Sequence, residues 1–263
     1  MLFKCDHAGY LLPPVADLSE VPEDNKMVLS QVVQLAVRSF RSNLLTVFFR
    51  GSQLFTAEHA DFDMVVITRN EERFRIMEQF RKDTVPIASR SGHITEIDCM
   101  ICSLEQLNQQ RHLQFVVQVL SVRVFGKDLS PGLSKFKPDI SSAYLHEMSV
   151  DKVDAFLSAR KMDLSTEEST LVCNYMIKYV IRTCFELVMM SQGIYCREIR
   201  TCEHYFSERY PGMATLSKQL ISQYNNRTMD EVSFLELVTR LLSFSATQIN
   251  IYQNTLAHEV ENR

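Results

Sequence analysis

Glycine and proline are scarce in this sequence, with 7 of each in 263 residues. That scarcity excludes collagen-like and low-complexity chains. With 46% hydrophobic and 23% charged residues, an intrinsically disordered chain is excluded as well. An excess of positive charge is also missing. The 28 Lys and Arg against 32 Asp and Glu leave a formal net charge of −4 and a pI near 6.0. A general nucleic-acid binder would carry a basic footprint instead. No long uninterrupted apolar run occurs. The most apolar stretch, Leu171 to Met190, is broken by Asn174, Lys178, Arg182 and Glu186, so it reads as a buried helix and not as a membrane span. Met1 to His7 lack a continuous apolar segment and a small-residue cleavage site. The expectation is a compact, helix-rich cytoplasmic protein without a membrane partner.

Cysteine is present, but in an odd number, 7. Most of these residues fall in apolar runs, as free thiols do when they act as small core side chains in a reducing compartment. Cys99 and Cys102 form a C-x-x-C, yet no second pair at zinc-finger spacing accompanies them. In the strand-like run Ile97 to Cys102, residues three apart point to opposite faces.

The chain falls into two compositional halves. Residues 1 to 24, rich in Pro, Asp and Glu, read as an extended lead-in. Lys26 to Ser42 has apolar residues at helical period. Leu44 to Phe49 is a buried strand by its length and its β-branched and aromatic content. A second strand runs from Asp61 to Thr68, followed by an amphipathic helix from Glu71 to Lys82 that is expected to stop before Pro86. A third strand spans Ile94 to Cys102, a helix spans Leu104 to Leu120, and a short strand spans Val122 to Phe125. Strands alternating with helices indicate an α/β sheet domain. Beyond Pro138 no strand is expected. Helices are expected at Val150 to Arg160, Glu167 to Ser191, Cys196 to Arg209, Ala214 to Tyr224 and Asp230 to Gln253. Ser165-Thr166-Glu167-Glu168 supplies the hydroxyl and early acids of a helix start. The division is therefore a sheet domain over 1–138 and an all-α bundle over 139–263.

The chemistry lies in one ordered set. The strand ending Phe48-Phe49-Arg50 runs into Gly51-Ser52; eight residues later comes Asp61-Phe62-Asp63. A glycine lets a ligand approach the backbone closely, and amides opening a helical turn bind anions. The Ser52 hydroxyl can add a hydrogen bond to a phosphate oxygen. Asp61 and Asp63 lie two apart on a strand, so both carboxylates share one face. Two converging carboxylates repel unless a divalent cation sits between them. Mg²⁺ suits the place, because it takes one or two carboxylates together with substrate phosphates. Two such ions about 3.5–4 Å apart would stabilise both the attacking and the leaving oxygen. The third strand adds Glu96 and Asp98, again on one face. Asp98, flanked by Ile97 and Cys99, is the better held and can accept a proton or ligate a second metal.

This set resembles the nucleotidyltransferase superfamily that includes DNA polymerase β: an apolar strand, Gly-Ser, Asp-x-Asp, then a third acid among apolar residues. Over the whole chain the layout is most like the aminoglycoside nucleotidyltransferases, an α/β nucleotidyltransferase sheet domain followed by a helical domain. Ser121 to Gly126 resembles the strand after the first long helix. Gly193 to Arg200 resembles the helical-domain segment that places a basic residue at the triphosphate, which makes Arg197 and Arg200 the candidates for that role. The sequence departs from the pattern at Ala60, where serine is usual, at Phe62, and in having no tryptophan.

The resemblance implies a metal-dependent enzyme that moves a nucleoside monophosphate, AMP by family frequency, from Mg²⁺-bound ATP or another triphosphate onto a hydroxyl acceptor. An aminoglycoside-like small molecule is the first acceptor class. Asp61, Asp63 and Asp98 are the catalytic and metal-binding residues, and Gly51, Ser52, Arg197 and Arg200 bind the nucleotide. Enzymes of toxin or antitoxin type that modify a protein or a tRNA share the motif and differ only in acceptor. A silent nucleotide-binding module would keep the fold without turnover.

Overall fold

The computed structural model describes residues 2–12, 18, 21–51, 61–92, 94–139, 167–225 and 228–261, without the side chains of Leu2, Asp61, 167–171, Met190 and 252–261. Ser52, the expected helix at Val150 to Arg160, and Ser165-Thr166 lie outside the described residues. The chain divides into two units, Tyr10–Phe136 and a second made of Met1–Gly9 with Lys137–Arg263.

The first unit is built on a four-stranded sheet. Its strands are β2 (Leu44–Arg50), β3 (Asp61–Thr68), β4 (Glu96–Ser103) and β5 (Ser121–Gly126), in the order β4-β3-β2-β5. β2 runs antiparallel to both neighbours, and β3 pairs in parallel with β4. Met64, Val65, Val66 and Ile67 are fully buried, because β3 lies inside the sheet and is covered on both faces. Helices α1 (Glu23–Phe40) and α2 (Phe74–Ser91) supply the cover on one face. Val32, Ala36, Phe40 and Phe80 from these helices join Val47, Phe49, Phe62, Met64 and Val66 from the strands in a single core. Phe49 and Phe62 stack at 4.6 Å between ring centroids. Fully burying such a ring contributes about 1.5–3 kcal/mol.

Two expectations in this unit are corrected. α2 does not stop before Pro86; it runs through the proline to Ser91 and ends at Gly92, which has φ 72°. The proline removes one backbone donor, but Ile87 and Ala88 beyond it are buried in the core, and this packing holds the last turns. The helix expected over Leu104 to Leu120 is two helices, α3 (Leu104–Gln109) and α4 (Arg111–Leu120), with Gln110 extended between them. α3 opens with a full capping box of Ser103 and Gln106.

The second unit contains α5 (Glu167–Gln192), α6 (Ile199–Arg209), α7 (Ala214–Ser222) and α8 (Glu231–Glu261). α5 packs on α6 and α8, and α6 on α7. Ile177, Val180, Ile181 and Val188 of α5 are fully buried, as are Phe206, Leu220, Phe234 and Leu241. A carboxylate is enclosed there too: Glu203 accepts from Ser217 at 2.9 Å and from Ser207, tying α6 to α7. The expectation of no strand in this half is corrected. β1 (Leu2–Phe3) pairs antiparallel with β6 (Tyr195–Cys196), so the first residues belong to the helical unit. The helix expected from Cys196 therefore begins at Ile199, where the Glu198 side chain accepts from the amides of Arg200 and Thr201. Among the described residues no helix is long and apolar enough to cross a membrane.

Candidate active site

Three adjacent strands bring the candidate residues of the sheet unit together. Arg50 is the register partner of Asp63 across β2 and β3, and Asp63 is the partner of Asp98 across β3 and β4. Alternation does the rest. Phe62, Met64, Ile97 and Cys99 turn into the core, so Asp63 and Asp98 stand on the opposite face. Asp61 pairs with Glu96 two residues nearer the strand starts. Glu96 and Asp98 are both exposed, as alternation requires.

Gly51 fits against this pair with no room to spare. Its φ is +98°, and a Cβ built on it would lie 2.3 Å from Asp63 Oδ2 and 3.2 Å from Asp63 Cγ. The backbone at the end of β2 therefore lies directly on the Asp63 carboxylate, an approach that only a residue without a side chain permits.

The acids are not left to repel each other. Arg50 Nη2 lies 3.8 Å from Asp63 Oδ1 and 4.0 Å from Asp98 Oδ2. Asp63 is one-quarter exposed at 27%, and Asp98 is open at 63%, so one acid is held and the other is presented to solvent. Behind them, burial and the charge of Asp98 push the Cys99 thiol up to about 12, and burial does the same to Cys102. Both are neutral, buried core thiols.

The donor set suits Mg²⁺. Asp63 and Asp98 offer hard carboxylate oxygens on one face, and the glycine lets the end of β2 approach Asp63 more closely than any side chain would allow. Among the described residues no group of three or more His, Cys, Asp or Glu forms a complete cage.

Arg197 and Arg200 stand in the helical unit. Arg200 lies exposed in the first turn of α6, and Arg197 precedes that turn. The structure adds a residue that the sequence showed only as a charge interrupting an apolar helix, Arg182. Its Nε and Nη2 donate to the Arg197 carbonyl at 3.1 and 3.0 Å. Burial, and then the nearby Arg197 guanidinium, lower its pKa to about 10. An arginine interrupting a buried helix face has to find an acceptor, and that was the available signal. Arg50 was missed as well. Its signal was its place two residues after Phe48 on β2, but its partner depended on the β2–β3 register.

No family model and no curated protein sequence matches the chain. Among solved structures, spectinomycin adenyltransferase AAD(9) from Enterococcus faecialis, crystallised with ATP and spectinomycin, superposes with a TM-score of 0.59 at 12% identity. The superposition covers 86% of this chain and 99% of that one. This is the nucleotidyltransferase fold. Within that fold, a mixed sheet sets Asp63 and Asp98 on the face opposite the α1–α2 core, with Gly51 against Asp63, and the second unit comprises Met1–Gly9 with Lys137–Arg263.

Proposed function

We propose that the chain transfers a nucleoside monophosphate, AMP in the first instance, from a Mg²⁺-bound triphosphate to a hydroxyl of a small-molecule acceptor of aminoglycoside type. One observation carries this reading: the Gly51 backbone lies directly on the Asp63 carboxylate, where a Cβ would fall 2.3 Å from Oδ2, and Asp63 is in register with Asp98. The solved adenyltransferase of the same fold, crystallised with ATP and spectinomycin, supports it.

In this reading Gly51 and Ser52 hold the triphosphate through the backbone amide and the hydroxyl. Asp61 and Asp63 would hold Mg²⁺, which supplies charge neutralisation at the phosphates. Asp98, the exposed acid, accepts the proton of the attacking hydroxyl or completes a second metal position. The hydroxyl oxygen bonds to the α-phosphorus, the bond to the bridging oxygen breaks, and pyrophosphate leaves. Arg197 and Arg200, on the helical unit, carry the guanidinium forks suited to phosphate oxygens. Positioning and charge neutralisation provide most of the acceleration.

The test is incubation with each nucleoside triphosphate, Mg²⁺ and a panel of aminoglycoside and aminocyclitol acceptors. The readouts are pyrophosphate release and the acceptor's mass gain of one nucleotide. Failure to bind any triphosphate overturns the reading. A module that binds nucleotide without turnover has one observation in its favour, the Arg50 cation lying against both acids; binding without pyrophosphate release identifies it.

A further inference from the structure

Arg50 is not a surface arginine held by chance. Its side chain is 18% exposed, and its buried Nε has no hydrogen-bond partner among the described residues. An unmet buried donor is costly, so something must hold the guanidinium in this place. The two carboxylates do so, with one nitrogen, Nη2, within 4.0 Å of both. A fixed cation within reach of Asp63 and Asp98 together already supplies positive charge of the kind that a divalent ion shared by these two acids would supply.

Resting on the transfer reading above, we propose that the Arg50 guanidinium takes the place of one of the two divalent cations, so that the chain binds a single metal ion with its nucleotide. The ion that remains accompanies the triphosphate beside Asp61 and Asp63. Asp98 keeps Arg50 as its counter-charge and is left without a metal. Arg50 is thus a positioning residue with a fixed positive charge. Unlike a metal, it cannot be chelated away and cannot dissociate with the product.

The experiment counts bound Mn²⁺ and bound non-hydrolysable ATP analogue per chain by equilibrium dialysis. The samples are the full chain, Arg50→Met and Arg50→Lys, with circular dichroism confirming that each is folded. The expected stoichiometry is one Mn²⁺ in the unaltered chain and in Arg50→Lys, which keeps the charge, and two in Arg50→Met. Two Mn²⁺ in the unaltered chain, with the analogue bound, overturn the substitution of metal by arginine and leave the transfer reading intact. So does a count that stays at one in Arg50→Met. No Mn²⁺ and no analogue on the unaltered chain overturn the transfer reading itself. The unaltered chain carries the decision even if Arg50→Met does not fold.

Discussion

Replacing Gly51 with alanine tests the site at its tightest point, and the structure separates the two penalties involved. The first is conformational: an L-residue with positive φ is strained by about 1–2 kcal/mol, and Gly51 sits at φ +98°. The second is steric. The new methyl would lie 2.3 Å from Asp63 Oδ2, where ordinary contact begins near 3.4 Å. The carboxylate must therefore retreat by about 1 Å, and a displacement of that order costs roughly 10²-fold in rate. Two other glycines serve as controls. Gly92, at φ +72°, has nothing within 4 Å of the point where an added methyl would stand; Gly92→Ala should lose about 1–2 kcal/mol of stability and keep full turnover. Gly126→Ala would place its methyl 2.2 Å from the Leu45 backbone carbonyl, so it should destabilise the sheet while turnover per folded molecule stays near normal. Gly51→Ala should show a stability loss of about 2–4 kcal/mol and a turnover loss of ~10²-fold or more per folded molecule. Thermal denaturation and pyrophosphate release on the same preparations give both values. If Gly51→Ala behaves like Gly92→Ala in both assays, the close approach of backbone to Asp63 has no functional meaning.

Asp98→Asn should lower turnover by roughly 10²-fold or more, the scale of losing a general base, whereas Glu96→Gln should cost under about tenfold; a larger loss from Glu96→Gln would mean that Asp61 and its partner Glu96 carry the chemistry. Asp63→Asn should abolish the advantage that Mg²⁺ gives to triphosphate binding, measured by calorimetry with and without the metal, and an undiminished advantage would place the ion elsewhere. Glu186, fully enclosed on α5, gives a pH-dependent prediction, because burial lifts its carboxyl well above the ordinary 4.5. Below about pH 4.5 the folded and unfolded chains both hold the proton; above it the unfolded chain releases a proton that the folded chain keeps, and stability falls by about 1.4 kcal/mol per pH unit up to the folded pKa. Glu186→Gln should therefore melt several degrees higher than the unaltered chain at pH 8, with the difference closing toward pH 5, and an equal difference at both pH values would show that Glu186 is ionised in the fold.

The sequence alone was enough for several features with a local cause. Periodicity located β2, β3 and β4, and alternation put Phe62 and Met64 in the core and Asp63 and Asp98 on the opposite face. Gly51 was singled out in the sequence because a residue without a side chain lets a ligand approach the end of a strand. Features with a distant cause were not legible. The β1–β6 pair joins residues almost two hundred positions apart, and neither strand is long enough to show a period of its own. α2 passes through Pro86 because the core under Ile87 and Ala88 outweighs one missing hydrogen bond. Arg50 reads in the sequence as a polar residue ending a strand. Only the antiparallel register of β2 with β3, and the parallel register of β3 with β4, set it against two acids. A strand's own residues determine which face each side chain takes, but which charges meet across strands is determined by the register, and the packing of the whole sheet fixes the register.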